Sequence, residues 1–329
     1  MLYAALAVVG GFVLLVWGAE RFVGGASAVA RSLGVSPLII GLTIVALGTS
    51  APEILVSAVA SWQGNPGLAY GNAIGSNITN ISLVLGLTAL LVPLKVHSKI
   101  LKREMPILLL IMFAVLALIL DGEMNRGDGL LLALGLAMMI YWLIQLGMRD
   151  RDGDPMIEEY EQEISDMPVS RAVFWLVVGA VTLFLGSRLL VWGAVFIAES
   201  FGVSDLIIGL TIIAIGTSLP ELAASIIGAY KGEHDIAIGN VIGSNMFNLL
   251  AVMSMPGLIA PGLMSPDILA RDYIWMVALT LALFVMAYGF RGPGKIKRVE
   301  GGLLLSAYGY YLYTLYLSAH QHAGTAMAS

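Results

Sequence analysis

Two carboxylates stand in this sequence where apolar residues dominate. Glu53 closes GTSAPE (48–53) and Glu221 closes GTSLPE (216–221), each within a long hydrophobic run. A charge inside a membrane-grade segment is expensive, so it marks an ion pathway unless a buried basic residue neutralises it. Arg21 and Arg188 are the basic residues that fall within such runs, and they do not recur in register with the two glutamates. Recurrent acids without a recurrent partner point to cation binding. The neighbours suit that chemistry. Pro52 and Pro220 have no N–H to donate to the preceding turn, so carbonyls around Ala46–Thr49 and Ala214–Thr217 lack helical partners. In lipid such groups must be satisfied or must line a cavity. The hydroxyls of Thr49, Ser50, Thr217 and Ser218 stand beside them, and GNAIGSNITN (71–80) and GNVIGSNMFN (239–248) add Ser76, Asn80, Ser244 and Asn248.

Neutral oxygens with a few carboxylates suit hard cations such as Ca²⁺ and Na⁺. The sequence has no cysteine and only four histidines, so no cluster competes for softer metals, and disulfides and thiol catalysis are excluded. Two glutamates in one cavity carry a charge that one Ca²⁺, or two Na⁺, would balance. The serines also suit close helix packing, and Asn72 and Asn240 suit either coordination or bonding to backbone. Glu20 beside Arg21 reads as a local pair or a snorkelling end.

The elements that must position these residues are membrane helices. Of 329 residues, 58% are hydrophobic and 12% charged, with a mean hydropathy of +0.89. A soluble domain is usually about 45–50% apolar and about a quarter charged. The apolar runs predict ten spans near 2–31, 36–62, 67–92, 104–121, 128–148, 170–198, 204–229, 235–259, 272–290 and 299–318. The opening MLYAALAVVG lacks a basic n-region and reads as the first span. Residues 149–169 form an acidic linker, and 319–329 a flexible tail. DRDGDP within the linker does not complete a calcium-binding loop.

Loop charge gives orientation. Odd-numbered loops hold Arg31, Lys95, Lys99, Lys102, Arg103, Arg149, Arg151, Arg171, Lys231, Arg291, Lys295, Lys297 and Arg298; even-numbered loops hold Arg126 and Arg271. The positive-inside rule then puts odd loops in the cytoplasm and both termini outside.

The chain also repeats itself. Residues 34–53, GVSPLIIGLTIVALGTSAPE, match 202–221, GVSDLIIGLTIIAIGTSLPE, at sixteen of twenty positions. The same offset of 168 carries Asn80 to Asn248 and Gly18 to Gly186. The chain therefore divides into halves, 1–148 and 170–318, with five spans each. An odd number inserts the second copy upside down, an inverted repeat that favours a shared site near the midplane. The expected fold is an all-α membrane protein of ten transmembrane helices, arranged as two inverted five-helix repeats with broken helices at a central ion site.

GTSxPE and GNxIGSN, each present twice, closely resemble the two α-repeats of the cation/calcium exchanger superfamily, in particular the prokaryotic sodium/calcium antiporters. The resemblance covers nearly all the membrane-embedded chain. It implies a secondary antiporter of the inner (plasma) membrane that exchanges Ca²⁺ for Na⁺ by alternating access and exports Ca²⁺. It implies no cofactor beyond the transported ions, no enzymatic activity, and no nucleic-acid or obligate protein partner; its surroundings are the lipid bilayer. By the same resemblance Glu53 and Glu221 are the main Ca²⁺ ligands, with backbone oxygens of Thr49 and Thr217. Na⁺ sites would draw on Ala46, Thr49, Ser50 and Ser76, and on Ala214, Thr217, Ser218 and Ser244, with Asn80 and Asn248 flanking the centre. One feature departs from the family. Relatives commonly have an aspartate at one of the positions of Asn80 and Asn248, and potassium-dependent relatives have acids at both. Rival readings are Ca²⁺/H⁺ or K⁺-involving exchange on the same scaffold, a passive cation channel, and an intramembrane acid–base enzyme; the last lacks a nucleophile or metal triad.

Two close carboxylates in a low-dielectric cavity make protons competitors of Ca²⁺. Acid should inhibit Ca²⁺ transport, and uptake that stays constant from neutral pH to about 5 would count against a paired-carboxylate site.

Overall fold

The computed structural model describes residues 1–33, 35, 37–96, 101–149, 167–201, 214–288 and 294–326. The acidic linker from 150 to 166 and the start of the second repeat motif, 202–213, lie outside the described residues. The principal helices are α1 (Leu2–Leu33), α2 (Ala46–Trp62), α3 (Pro66–Thr79), α4 (Leu101–Ile119), α5 (Arg126–Arg149), α6 (Val169–Ser200), α7 (Leu219–Tyr230), α8 (His234–Phe247), α9 (Ile274–Tyr288) and α10 (Arg298–Ala326).

Among the described residues seven helical stretches are long and apolar enough to cross a membrane: Leu2–Ala30, Gly41–Trp62, Pro66–Leu91, Arg126–Gln145, Val169–Ile197, His234–Ile259 and Ile268–Ala287. α7 is apolar but shorter, because the chain leaves helical geometry at Ser218, just before it. The expected spans at 104–121 and 299–318 coincide with α4 and α10.

The molecule is not purely α-helical. Leu94–Val96 (β1) pairs antiparallel with Gly294–Ile296 (β4), and Glu123–Met124 (β2) pairs with Gly262–Leu263 (β3). These chains leave helices at membrane-edge positions, where backbone groups without helical partners must bond to something. The ladders supply those bonds.

α1 and α6 run antiparallel with their backbones nearly touching. A Cβ on Gly11 would lie 2.6 Å from the Leu190 nitrogen, one on Gly18 2.9 Å from that of Leu183, and one on Gly25 2.6 Å from that of Leu176. Gly186 and Gly193 return the contact, 2.9 Å from the Leu15 nitrogen and 2.6 Å from the Ala4 oxygen. The seven-residue spacing keeps these glycines on one face of each helix. Lipid removes the hydrophobic drive to associate, so such close approach of backbones is what holds the pair.

α8 lies at the centre. The most apolar part of His234–Ile259 is entirely buried, against 72% for Pro66–Leu91. Gly41 sits against Ile236 and Gly239, and Gly243 against Leu42 and Ala46, which presses α8 onto the chain entering α2. Two matching turns reverse the chain between α2 and α3 and between α7 and α8. Gly64 and Gly232 adopt φ of +77° and +82°, where a side chain is strained. Asn65 N donates to the Ala60 carbonyl and Glu233 N to that of Gly228, closing each helix in the same way.

Gly25→Val should cost roughly 1–3 kcal/mol by overpacking the α1–α6 contact and lower the melting temperature in detergent. Gly309→Ala on α10, where a Cβ meets nothing within 4 Å among the described residues, should leave it unchanged or slightly raised.

Candidate functional site

The first GTSxPE copy departs from expectation. α2 runs from Ala46 to Trp62 with Pro52 inside it. The irregularity lies upstream, where Gly41–Val45 forms a π-helical turn. A π turn carries one residue more than an α turn and shifts the register of the backbone bonds, so the strain is taken up before the proline. The second copy does break. Ala214–Thr217 is a single short helical turn, Ser218 leaves helical geometry at φ −90°, ψ 6°, and α7 begins at Leu219 with Pro220 in its first turn. Pro220 cannot bond the Gly216 carbonyl; the Ser187 hydroxyl of α6 donates to it instead, at 2.7 Å. Ser187 carries no signal in the repeat, because its counterpart is Ala19.

Further π turns begin at Asn80 (Asn80–Leu85) and at Asn248 (Asn248–Val252). Both asparagines therefore sit where a helix changes pitch, a common feature of functional positions.

Glu53 on α2 and Glu221 on α7 are each 1% exposed. Ser50, three residues before Glu53, donates to Glu221 Oε1 at 3.3 Å, which ties the turn carrying one acid to the side chain of the other. The two acids therefore meet in one interior region. The Thr49 hydroxyl donates to Asn240 Oδ1 at 3.0 Å and lies 3.4 Å from Ser244 Oγ. It also lies 3.3 Å from the Ala46 carbonyl. Asn80 Nδ2 donates to Asn245 Oδ1 at 3.2 Å, leaving Asn80 Oδ1 without a partner.

The asparagines at 72 and 240 act as braces. Asn72 Nδ2 donates to the Glu53 carbonyl at 2.9 Å and to Ser57 Oγ at 3.1 Å. Asn240 Nδ2 donates to the Glu221 carbonyl at 3.3 Å and to Ser225 Oγ at 3.1 Å. Each fixes the backbone of the neighbouring glutamate. Ser57 and Ser225 also recur at the repeat offset, a signal the motif search passed over.

No basic residue approaches either glutamate among the described ion pairs. Arg21 lies 4.7 Å from the Trp175 ring and 5.5 Å from that of Trp17, and Arg188 lies 6.0 Å from Phe184. Both oxygens of Glu53, Oε2 of Glu221, the Ser218 hydroxyl and both side-chain polar atoms of Asn248 are buried without a hydrogen-bond partner. Burying a carboxylate uncompensated costs several kcal/mol or more. A cation supplies what the oxygens among these atoms lack, and every one of them but Asn248 Nδ2 is an oxygen. Among the described residues no three acidic or histidine side chains cluster, so a cation here must lean on hydroxyls, amides and carbonyls.

Of the remaining expected residues, Ser76 is buried on α3 and Thr217 is half-buried. Ala214 opens its helical turn, its side chain lying outside the described residues.

Two cavities reach Thr217. One of about 320 Å³ is lined by Tyr70, Gly71, Asn72, Gly75 and Asp272; the other, also about 320 Å³, is lined by Pro52, Val59, Gln63, Arg188 and Gly216.

The chain belongs to the sodium/calcium exchanger protein family, whose pattern it matches over residues 3–145 and 171–317. Among individual proteins it is 51% identical to CaxA of Alkalimonas amylolytica, over 97% of this chain and all of that one. It is 33% identical to the sodium/calcium exchanger MaX1 of Methanosarcina acetivorans, over 93% and 96%. Its fold matches the solved sodium-calcium exchanger NCX_Mj with a TM-score of 0.82 and 33% identity, over 95% of this chain and 99% of that one. It is a multi-pass helical membrane protein.

Asn240→Ala should strand the Glu221 carbonyl, Ser225 and Thr49 together and destabilise the fold by about 1–3 kcal/mol. A thermal melt in detergent reads the loss directly.

Proposed function

We propose that this protein exchanges Ca²⁺ for Na⁺ by alternating access, exporting Ca²⁺ against inward Na⁺. The single observation that carries this reading is the convergence of Glu53 and Glu221, both buried and without a basic partner, among neutral oxygens from both halves of the chain. Two carboxylates balance one Ca²⁺ or two Na⁺, whereas three Na⁺ leave an excess positive charge. Because the same oxygens serve both ions, binding is mutually exclusive. A carrier that reorients poorly when its acids are uncompensated must then carry an ion each way.

In this reading Glu53 and Glu221 are the Ca²⁺ ligands, helped by backbone oxygens of Thr49 and Thr217. Ser50, Ser76, Ala46, Ser218, Ser244 and Ala214 serve the Na⁺ positions, and Asn80 and Asn248 flank the centre. The braces Asn72 and Asn240 spend their amide donors on the glutamate backbones and act by positioning.

The architecture proposed is ten helices in two inverted halves, 1–148 and 170–318. The antiparallel α1–α6 contact supports the inversion, because residues related by the 168 offset run in opposite directions along one interface. The ladders support the span parity: β1·β4 joins the third loop to the ninth, and β2·β3 joins the fourth to the eighth. Each ladder thus links loops on one side of a membrane. Loop charge then puts odd loops in the cytoplasm and both termini outside. An inner membrane fits; a relative 40% identical over 96% of this chain is named inner membrane protein YrbG in Escherichia coli.

Neutral Asn80 and Asn248 leave only two acids in the nest, which keeps H⁺ or K⁺ as rival coupling ions. The test is radioactive Ca²⁺ uptake into Na⁺-loaded proteoliposomes, with outside Na⁺, K⁺ or a pH jump compared. Na⁺-gradient dependence is expected, and Glu53→Gln and Glu221→Gln should each abolish uptake while the protein stays folded. Normal exchange by either variant sinks the site assignment, and uptake that follows only the pH jump replaces Na⁺ with H⁺.

A further inference from the structure

Across the β1·β4 ladder, Lys95 stands directly opposite Lys295. Both are exposed. The alternate residues Leu94, Val96 and Ile296 are buried, and the ladder packs on α8 and α9. Directly opposed residues of an antiparallel pair have Cβ atoms about 5 Å apart on one face, so two like charges there repel. Neither ammonium has a carboxylate within ion-pair distance among the described residues. An acid at either position would have strengthened the ladder; the chain has two cations instead.

More positive charge gathers at the same place. Lys297 and Arg298 follow β4 and are exposed. Arg298 Nη2 donates to the Leu91 carbonyl at 3.5 Å, which holds the guanidinium across the gap between α10 and the chain entering β1. Glu300, the nearest acid in sequence, accepts from the Lys297 backbone N–H at 2.6 Å; its carboxylate caps α10 in the manner of an acid three residues into a helix. The positive-inside rule accounts for basic residues in each loop separately. It does not ask Lys95 and Lys295, from different loops, to meet face to face.

Apolar surface continues from this cluster along the membrane helices. Val299 and Leu303 are 74% and 60% exposed, and their spacing of four puts them on one side of α10. The exposed Leu91 side chain ends the helical stretch Gly86–Leu91, against which α10 packs.

We infer that the β1·β4 ladder is a binding site for an anionic phospholipid. The phosphate lies between Lys95 and Lys295, with Lys297 and Arg298 at its edge, and the acyl chains follow Val299 and Leu303. Clustered basic residues at a membrane edge attract anionic headgroups. Here the attraction has a second effect, because an anion shared by two opposed ammoniums replaces their repulsion and tightens the ladder. A free phosphate would answer the charge alone, whereas the apolar stripe beside it singles out a lipid. The site uses none of the residues around Glu53 and Glu221 and does not depend on the antiport reading.

Lys95→Glu gives the sharpest test, since it makes the opposed pair attractive and keeps the ladder. The full chain is melted in a neutral detergent, alone and with phosphatidylglycerol, phosphatidylcholine or inorganic phosphate. Alone, Lys95→Glu should melt above the unmodified protein. Phosphatidylglycerol should raise the melting temperature of the unmodified protein and of Lys95→Arg, and leave that of Lys95→Glu nearly where it was. Phosphatidylcholine should move none of them. The midpoint of the phosphatidylglycerol titration should rise about fivefold in Lys295→Gln, the loss expected for one basic residue at an anionic surface. Arg126→Gln, which removes a cation from the turn after β2, should leave that midpoint unchanged. An equal phosphatidylglycerol shift in the unmodified protein and Lys95→Glu overturns the inference. So does inorganic phosphate that stabilises the unmodified protein as much as the lipid does at the same concentration.

Discussion

Two carboxylates buried in one region, with no guanidinium or ammonium paired to them among the described residues, constrain everything around them. Glu53 and Glu221 are almost fully enclosed, and three of their four oxygens have no hydrogen-bond partner. Desolvating such groups is among the largest penalties a protein can carry. A structural ion pair would lower it by supplying a fixed cation; here Arg21 and Arg188, the arginines within the apolar helices α1 and α6, lie against tryptophan and phenylalanine rings. Protonation, or a cation that comes and goes, is the remaining way to lower it. Around the acids the chain has placed only oxygen donors and the amides that hold them, so the neighbourhood accepts a hard ion and does not fix one permanently.

That demand also explains the helix irregularities. Ordinary helices hide their carbonyls, whereas the π turns at 41–45, 80–85 and 248–252 and the break at Ser218 shift or release them near the acids. Each release has to be contained. Ser187 takes the Gly216 carbonyl, and Asn72 and Asn240 take those of Glu53 and Glu221. The irregular backbone is confined to places where side chains from another helix can finish its bonding, as lipid requires.

Much of this was legible in the sequence. The duplicated GTSxPE located both acids, because a repeat separates a functional pattern from local accident. The asparagine motifs located the helices that face them, and apolar length located most of the spans. What escaped was detail that depends on partners distant in sequence. Proline alone does not say whether a helix breaks: Pro52 sits inside a continuous helix, while Pro220 begins a new one. Nothing local distinguishes the two; at the second, a hydroxyl on α6, distant in sequence, takes up the freed carbonyl. Ser187 could not be found by repeat matching, because Ala19 stands in its place. Ser57 and Ser225 do match, yet small polar residues in helices are common and gain meaning only beside Asn72 and Asn240. The short strands escaped because three residues of extended chain leave no periodic trace.

Those strands have an implication of their own. Each ladder takes one member from residues before the linker and one from residues after it, so β1 finds its mate in β4 and β2 in β3. Neither half owns a complete sheet. Taken alone, the residues before the linker would carry two strands with unpaired edges. The small sheets are thus sutures: the chain before the linker and the chain after it are stitched at two places, and neither can finish its backbone bonding there without the other.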